Sequence, residues 1–106
     1  MDINPIQPGQ VLVVPKRQVG FIWDMESEDY QALMTTVQKV GKAIRQAFPD
    51  KSRVGIMVEG LDVDNHVHVK VFPFSTEPEY RARPDGLQAP DHEELEAIAE
   101  KIRKLL

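Results

Sequence analysis

The sequence predicts a single α+β domain, and three observations carry that expectation. Residues 64–73 alternate polar and apolar side chains, the period of a β-strand. Two further short runs, 10–15 and 52–60, are apolar and β-branched, with Val-Leu-Val-Val in the first and Val-Gly-Ile-Met-Val in the second. Two longer stretches place apolar residues three and four apart, the period of an amphipathic helix. With 106 residues there is enough chain for one core.

In chain order, residues 1–9 carry Pro5, Pro8 and Gly9 and are expected to form an extended lead-in and a turn. Gln10–Pro15 is the first strand, covered on both faces. Lys16 and Arg17 at its end form either a solvated terminus or a pair of cations facing an anion. Phe21, Ile22, Trp23 and Met25 are an apolar cluster expected to pack under the next helix. Ser27 is a good N-cap, Glu28 and Asp29 suit the first turn, and Tyr30, Leu33, Val37, Val40, Ile44 and Phe48 make the buried stripe. Gly41 reads as a point of close strand approach, and Pro49 stops the helix. The short connection between 52–60 and His66 predicts an antiparallel hairpin. Residues 75–90, with Pro78, Pro84, Gly86 and Pro90, read as a surface loop whose Tyr80, Arg81 and Arg83 could close over a site. Asp91 with Glu94 starts a last helix with Leu95, Ile98, Ile102 and Leu105 inward and His92 in solvent.

Composition narrows the function. A net charge of −4 argues against non-specific binding to nucleic acid or an acidic membrane. Without cysteine there is no disulfide and no thiol chemistry. No apolar run is long enough to span a membrane, and Met1-Asp2 does not begin a signal peptide, so the expected compartment is the cytoplasm.

Chemistry concentrates in His66-Val67-His68-Val69-Lys70-Val71-Phe72-Pro73. Val67, Val69 and Val71 share one face, expected to be buried. His66, His68 and Lys70 share the other, about 6.6 Å apart in succession. Pro73 cannot donate to a ladder and is expected to end the strand. Three readings fit the pattern. The polar face is simply solvated; or H-x-H supplies two metal ligands, short of the three or four that zinc needs; or imidazoles and an ammonium surround a phosphate.

The stretch Asp2-Ile3-Asn4-Pro5 with Pro8-Gly9-Gln10-Val11-Leu12-Val13-Val14-Pro15-Lys16, the helix after it, and His66-Val-His68-Val-Lys70-Val-Phe-Pro73 together resemble the histidine-triad proteins. The resemblance runs from residue 2 to about 74, with His-x-His-x-Lys in place of the family's His-x-His-x-His. It implies a single domain over 1–106 (core 2–74, loop 75–90, C-terminal helix 91–106) with a curved antiparallel sheet and packed helices. In this sequence, the resemblance leaves the family's usual N-terminal strand and helix unmatched, which implies either that Met1 is an internal start or that the base pocket is more open. It further implies a homodimer that binds a nucleotide or nucleoside phosphate and acts at the α-phosphate as a hydrolase or nucleotidyltransferase. His68 would be the nucleophile that becomes nucleotidylated, His66 would hold its geometry, and Lys70 would take the third, phosphate-facing place. Asp2 would contact the ribose and Ile3 the base, with Gln18 and Asn65 also lining the nucleotide site. Gln18 stands where a histidine is common, and no metal or cofactor is implied. The alternative is a homodimer that binds nucleotide or phosphate without catalysis. Neutral imidazole is the attacking form, and a reference pKa of about 6.5 leaves most of it neutral at pH 7.

Overall fold

The computed structural model describes residues 6–59, 66–82 and 91–106. Three strands form one antiparallel sheet: β1 (Val11–Val13), β2 (Arg53–Glu59) and β3 (His68–Phe74), in the order β1-β3-β2. The last strand in sequence is thus the central one. Val11, Leu12 and Val13 pair with Val71, Lys70 and Val69, and β2 pairs along the whole of β3 from Arg53↔Phe74 to Glu59↔His68. The expected hairpin is present, and its connecting residues 60–65 lie outside the described ones.

One sheet face is covered by α1 (Ser27–Ala47), whose Leu33, Val37, Val40, Ala43, Ile44 and Ala47 are buried against Val13, Val67, Val69 and Val71. The β-branched valines fill the pleat while the helix presents residues at spacings of three and four. The stripe is shifted from the expected one. Tyr30 is exposed and Phe48 half-buried, and the small Ala43 and Ala47 take the contact. The helix N-cap is Glu26 rather than Ser27, with no side-chain cap bond. A Cβ at Gly41 would meet nothing within 4 Å, so this glycine does not admit a strand. The helix α3 (His92–Arg103; α2 is Glu77–Arg81) packs on α1 through Ile102 and Ile98, and Asp91 caps it by accepting from Glu93 N and Glu94 N. Leu105 is exposed instead of inward, while His92 is in solvent as expected.

Three further expectations are corrected. Residues 77–81, read as loop, form the short helix α2 (Glu77–Arg81), closed by a capping box between Thr76 and Glu79. Phe21 and Trp23 do not pack under α1: Phe21 is the N-cap and Trp23 the middle residue of a 3-10 turn at Ile22–Asp24, and they are 66% and 88% exposed, leaving Ile22 and Met25 to reach the core. Pro73 does not end its strand. It pairs with Val54 and is followed by Phe74, and β1, which faces β3 only over Val69–Val71, needs no donor from it. The first strand is also shorter than expected, and Val14 beyond it is 45% exposed.

On the opposite face of the sheet, Phe72, Phe74 and Tyr80 stack with ring centroids 5.0–6.1 Å apart. Gly55, opposite Phe72, makes the room: a Cβ there would lie 2.9 Å from the Phe74 ring and 3.0 Å from Tyr80. Tyr80 is therefore committed to packing, and Arg81 pairs with Glu77 at 2.7 Å, so neither closes over a site; Arg83 lies outside the described residues.

Candidate functional site

The strand alternation of β3 sends Val69 and Val71 to the α1 side and His68, Lys70 and Phe72 to the other. His68 and Lys70 thus share a sheet face, as expected. His66 sits just before the strand begins, half-buried. Of the three readings of this face, the simply solvated one fails at His68, which is only 3% exposed. The central strand has neighbours on both sides, and Phe74 and Tyr80 cover Phe72 on the second face, so alternation told side from side without telling wet from dry.

Hydrogen bonds fix both imidazoles. His68 Nδ1 lies 3.1 Å from the carbonyl oxygen of His66. A carbonyl only accepts, so Nδ1 must carry the proton, and the neutral ring then has its lone pair at Nε2. His66 Nε2 lies 3.1 Å from the carbonyl oxygen of Pro15 and, by the same argument, donates to it. Val67 N donates to Val19 O at 2.8 Å. The segment leaving β1 is thereby tied to the residues that lead into β3. His66 works in two ways: its side chain grips the end of β1, and its main-chain carbonyl selects the His68 tautomer. Neither Pro15 O nor the His66 carbonyl is legible in the sequence, since both are backbone groups whose role exists only after pairing.

Lys70 lies between Leu12 and Met57 in register. The apolar flanks suit a long stem that carries its ammonium outward. Lys16 and Arg17 fall elsewhere. With Pro15 they line a cleft of about 540 Å³ against Asp29, Leu33 and Thr36 of α1, and Arg17 pairs with Asp29 at 3.7 Å. Gln18 is exposed. Asp2, Ile3 and Asn65 lie outside the described residues. Among the described residues no group of three or more His, Asp or Glu side chains could hold a metal ion.

Two residues with a bearing on the site escaped the sequence reading. Gln10 is completely buried, and its Oε1 accepts from Ile6 N at 3.0 Å. Glu79 accepts from Ser75 N at 2.8 Å, Thr76 N and Lys51 Nζ at 2.7 Å, while its own carbonyl accepts from Gln7 Nε2 at 2.8 Å. The hydrogen bond from Lys51 and those from the Ser75 and Thr76 amides hold its carboxyl below the ordinary value of 4.5. The Thr76-x-x-Glu79 pattern was the available signal for the second; nothing marked the first.

The sequence pattern of the HIT domain matches residues 1–77. The chain belongs to the HIT domain family. Over 77 residues it is 36% identical to the bis(5'-nucleosyl)-tetraphosphatase [asymmetrical] of Schizosaccharomyces pombe, covering 69% of this chain and 42% of that protein. Over 76 residues it is 26% identical to the bis(5'-adenosyl)-triphosphatase of Dictyostelium discoideum, covering 69% and 51%. The chain thus spans about half the length of these relatives. A HIT-like protein involved in cell-cycle regulation from Bartonella henselae superposes with a TM-score of 0.81 at 28% identity, over 100% of this chain and 77% of that one. A Zn-bound histidine triad family protein from Mycobacterium smegmatis gives 0.72 at 23% identity, over 99% and 76%, a likeness of fold. The α+β architecture with an open three-stranded antiparallel sheet is that of these HIT structures. Among the described residues no helix is long and apolar enough to cross a membrane.

Proposed function

We propose that this HIT domain is a nucleotide hydrolase or nucleotidyltransferase that acts at an α-phosphate through a covalent intermediate on His68. The observation that carries the reading is the His68 Nδ1–H to His66 carbonyl bond, which leaves the attacking lone pair on Nε2. Nε2 forms a bond to the α-phosphorus, and the leaving group departs with the electron pair of the bond that breaks. The proton stays on Nδ1, donated to the His66 carbonyl, which stabilises the positive charge on the substituted ring. Water or another acceptor then attacks the phosphorus, the N–P bond breaks back to Nε2, and the acceptor's proton passes to solvent. Lys70, on the same sheet face, stabilises the negative charge on the phosphoryl oxygens. A phosphate leaving group departs as an anion and needs charge stabilisation rather than a proton, which suits an ammonium at the third position. The tetraphosphatase and triphosphatase named among the relatives favour such substrates.

Asp2, Ile3, Gln18 and Asn65 complete the nucleotide site in this reading. The chain works as a homodimer, a state supported by β2, an edge strand among the described residues with Ile56 and Val58 exposed at 42% and 38%. Incubation with diadenosine tetraphosphate and with adenosine phosphoramidate, followed by mass spectrometry of the protein, tests the proposal. An adenylyl adduct lost in His68→Asn supports it. Absence of both adduct and turnover, with adenosine monophosphate still raising the melting temperature, would leave the non-catalytic binding homodimer in its place.

A further inference from the structure

A second concavity lies away from the face that carries His68 and Lys70. β1 ends at Val13, and the chain from Val14 to Arg17 leaves the sheet beside α1. On the helix side the small Ala32 and Thr36 stand at the gap and do not fill it, and a cleft of about 540 Å³ remains. Its floor is Val13 and Leu33, 6% and 4% exposed, and Val14 and Pro15 form the wall on the strand side. Clefts of about 300–1,000 Å³ with a mostly apolar lining and a few polar groups are the sites that hold small molecules.

The wall is held from behind. Pro15 O accepts from His66 Nε2 at 3.1 Å, and Val19 O accepts from Val67 N at 2.8 Å. Collapse of the segment between them onto Leu33 would strain both bonds. The cleft is therefore preformed, and a ligand entering it meets little ordering cost.

Charge decides the class of ligand. Lys16 and Arg17 line the cleft against one carboxylate, Asp29. Arg17 Nε lies 3.7 Å from Asp29, too long for a hydrogen bond, and the Arg17 side chain is 72% exposed. The guanidinium thus keeps donors for a second carboxylate. Lys16 is exposed and has no acidic partner among the described residues. Two cations against one anion leave a single positive charge beside an apolar floor, in a chain whose net charge is −4. That matches a monoanion, whereas a phosphate monoester carries nearly two charges at pH 7 and would be repelled more by Asp29. Thr36 Oγ1 donates to Ala32 O at 3.1 Å and presents only lone pairs beyond it, so the anionic head belongs at the Lys16 and Arg17 end.

We propose that the cleft between the end of β1 and α1 binds an alkyl carboxylate, its hydrocarbon stem on Val13 and Leu33 and its carboxylate at Lys16 and Arg17. The site opens on the α1 side of the sheet, and it stands without the nucleotide reading.

Nuclear magnetic resonance of the whole chain, with amide shifts followed on titration with octanoate, acetate, octanol and octyl phosphate, tests this. Octanoate should move the amides of Ala32, Leu33 and Thr36 and bind at least about tenfold more tightly than acetate, because its stem is taken out of water. It should bind more tightly than octanol and than octyl phosphate. Ala32→Trp, at an exposed position, should fill the cleft and abolish octanoate binding. Lys16→Gln should weaken it about threefold at low salt, as loss of one exposed cation implies, and this surface change decides the matter should Ala32→Trp not fold. Shifts confined to residues outside the cleft would overturn the assignment. So would equal affinity of wild type and Lys16→Gln for octanoate, or octanol or octyl phosphate binding as tightly as octanoate.

Discussion

Replacing His68 by Asn and, separately, by Ala divides its structural part from its chemical one. The ring is 3% exposed, and its Nδ1 donates to the His66 carbonyl at 3.1 Å. Ala removes the donor, leaving a part-buried carbonyl unpaired at a cost of about 1–3 kcal/mol, and opens a cavity where the ring was. Asn places its amide nitrogen as many bonds from the backbone as Nδ1, so it can keep the bond and lose only ring contacts. Expected destabilisation is therefore about 3 kcal/mol for Ala and about 1 kcal/mol for Asn. In a domain of this size 1 kcal/mol moves the melting temperature by about 4–8 °C, which separates the two variants readily. Far-ultraviolet circular dichroism is the suitable probe, because the single Trp23 is 88% exposed and senses little on unfolding. Both variants should lose turnover of diadenosine tetraphosphate by at least about 10³-fold. Equal melting temperatures for Asn and Ala would refute the tautomer-fixing bond. Turnover surviving in Asn would refute the nucleophile.

Four more outcomes follow from the geometry. Gly55→Ala drives a Cβ to 2.9 Å from Phe74 and should cost about 1–3 kcal/mol in urea denaturation; a neutral result would mean that the aromatic stack shifts freely. The Glu79 carboxyl is held below 4.5 first by the Lys51 hydrogen bond, so its stabilisation is complete above that pH and fades as pH falls through the depressed value. The gap in melting temperature between wild type and Glu79→Gln should accordingly be widest near neutrality and close in acid, and a gap that grows in acid would reverse the assignment. Lys70→Gln should lower kcat by about 10²-fold with little effect on folding; unchanged kcat would remove Lys70 from the transition state. Val58→Lys should convert the proposed homodimer to monomer in light scattering, and a dimer that persists would place the interface away from the β2 edge.

The periodicities in the sequence were enough to find the helix over Ser27–Ala47, the antiparallel hairpin and the side of β3 on which His68 and Lys70 lie. Those features are local: a period of two or of 3.6 is written in the order of the residues. Errors arose where local rules met neighbours. Pro73 lies inside a strand because the pairing partner on one side stops at Val71. Phe21 and Trp23 stay outside because Ile22 and Met25 already fill the space under the helix.

The chain's order of amino acids determined which groups are present and which share a face: two imidazoles, an ammonium, and valines to anchor them. Tertiary structure alone decided that His68 is enclosed, that its Nδ1 holds the proton, and that Gln10 grips the backbone of Ile6. Each of those facts depends on a backbone carbonyl, a backbone amide or a covering layer. Every residue carries the same backbone groups, so no residue letter reveals which of them will stand beside a given ring or side chain until the strands have paired.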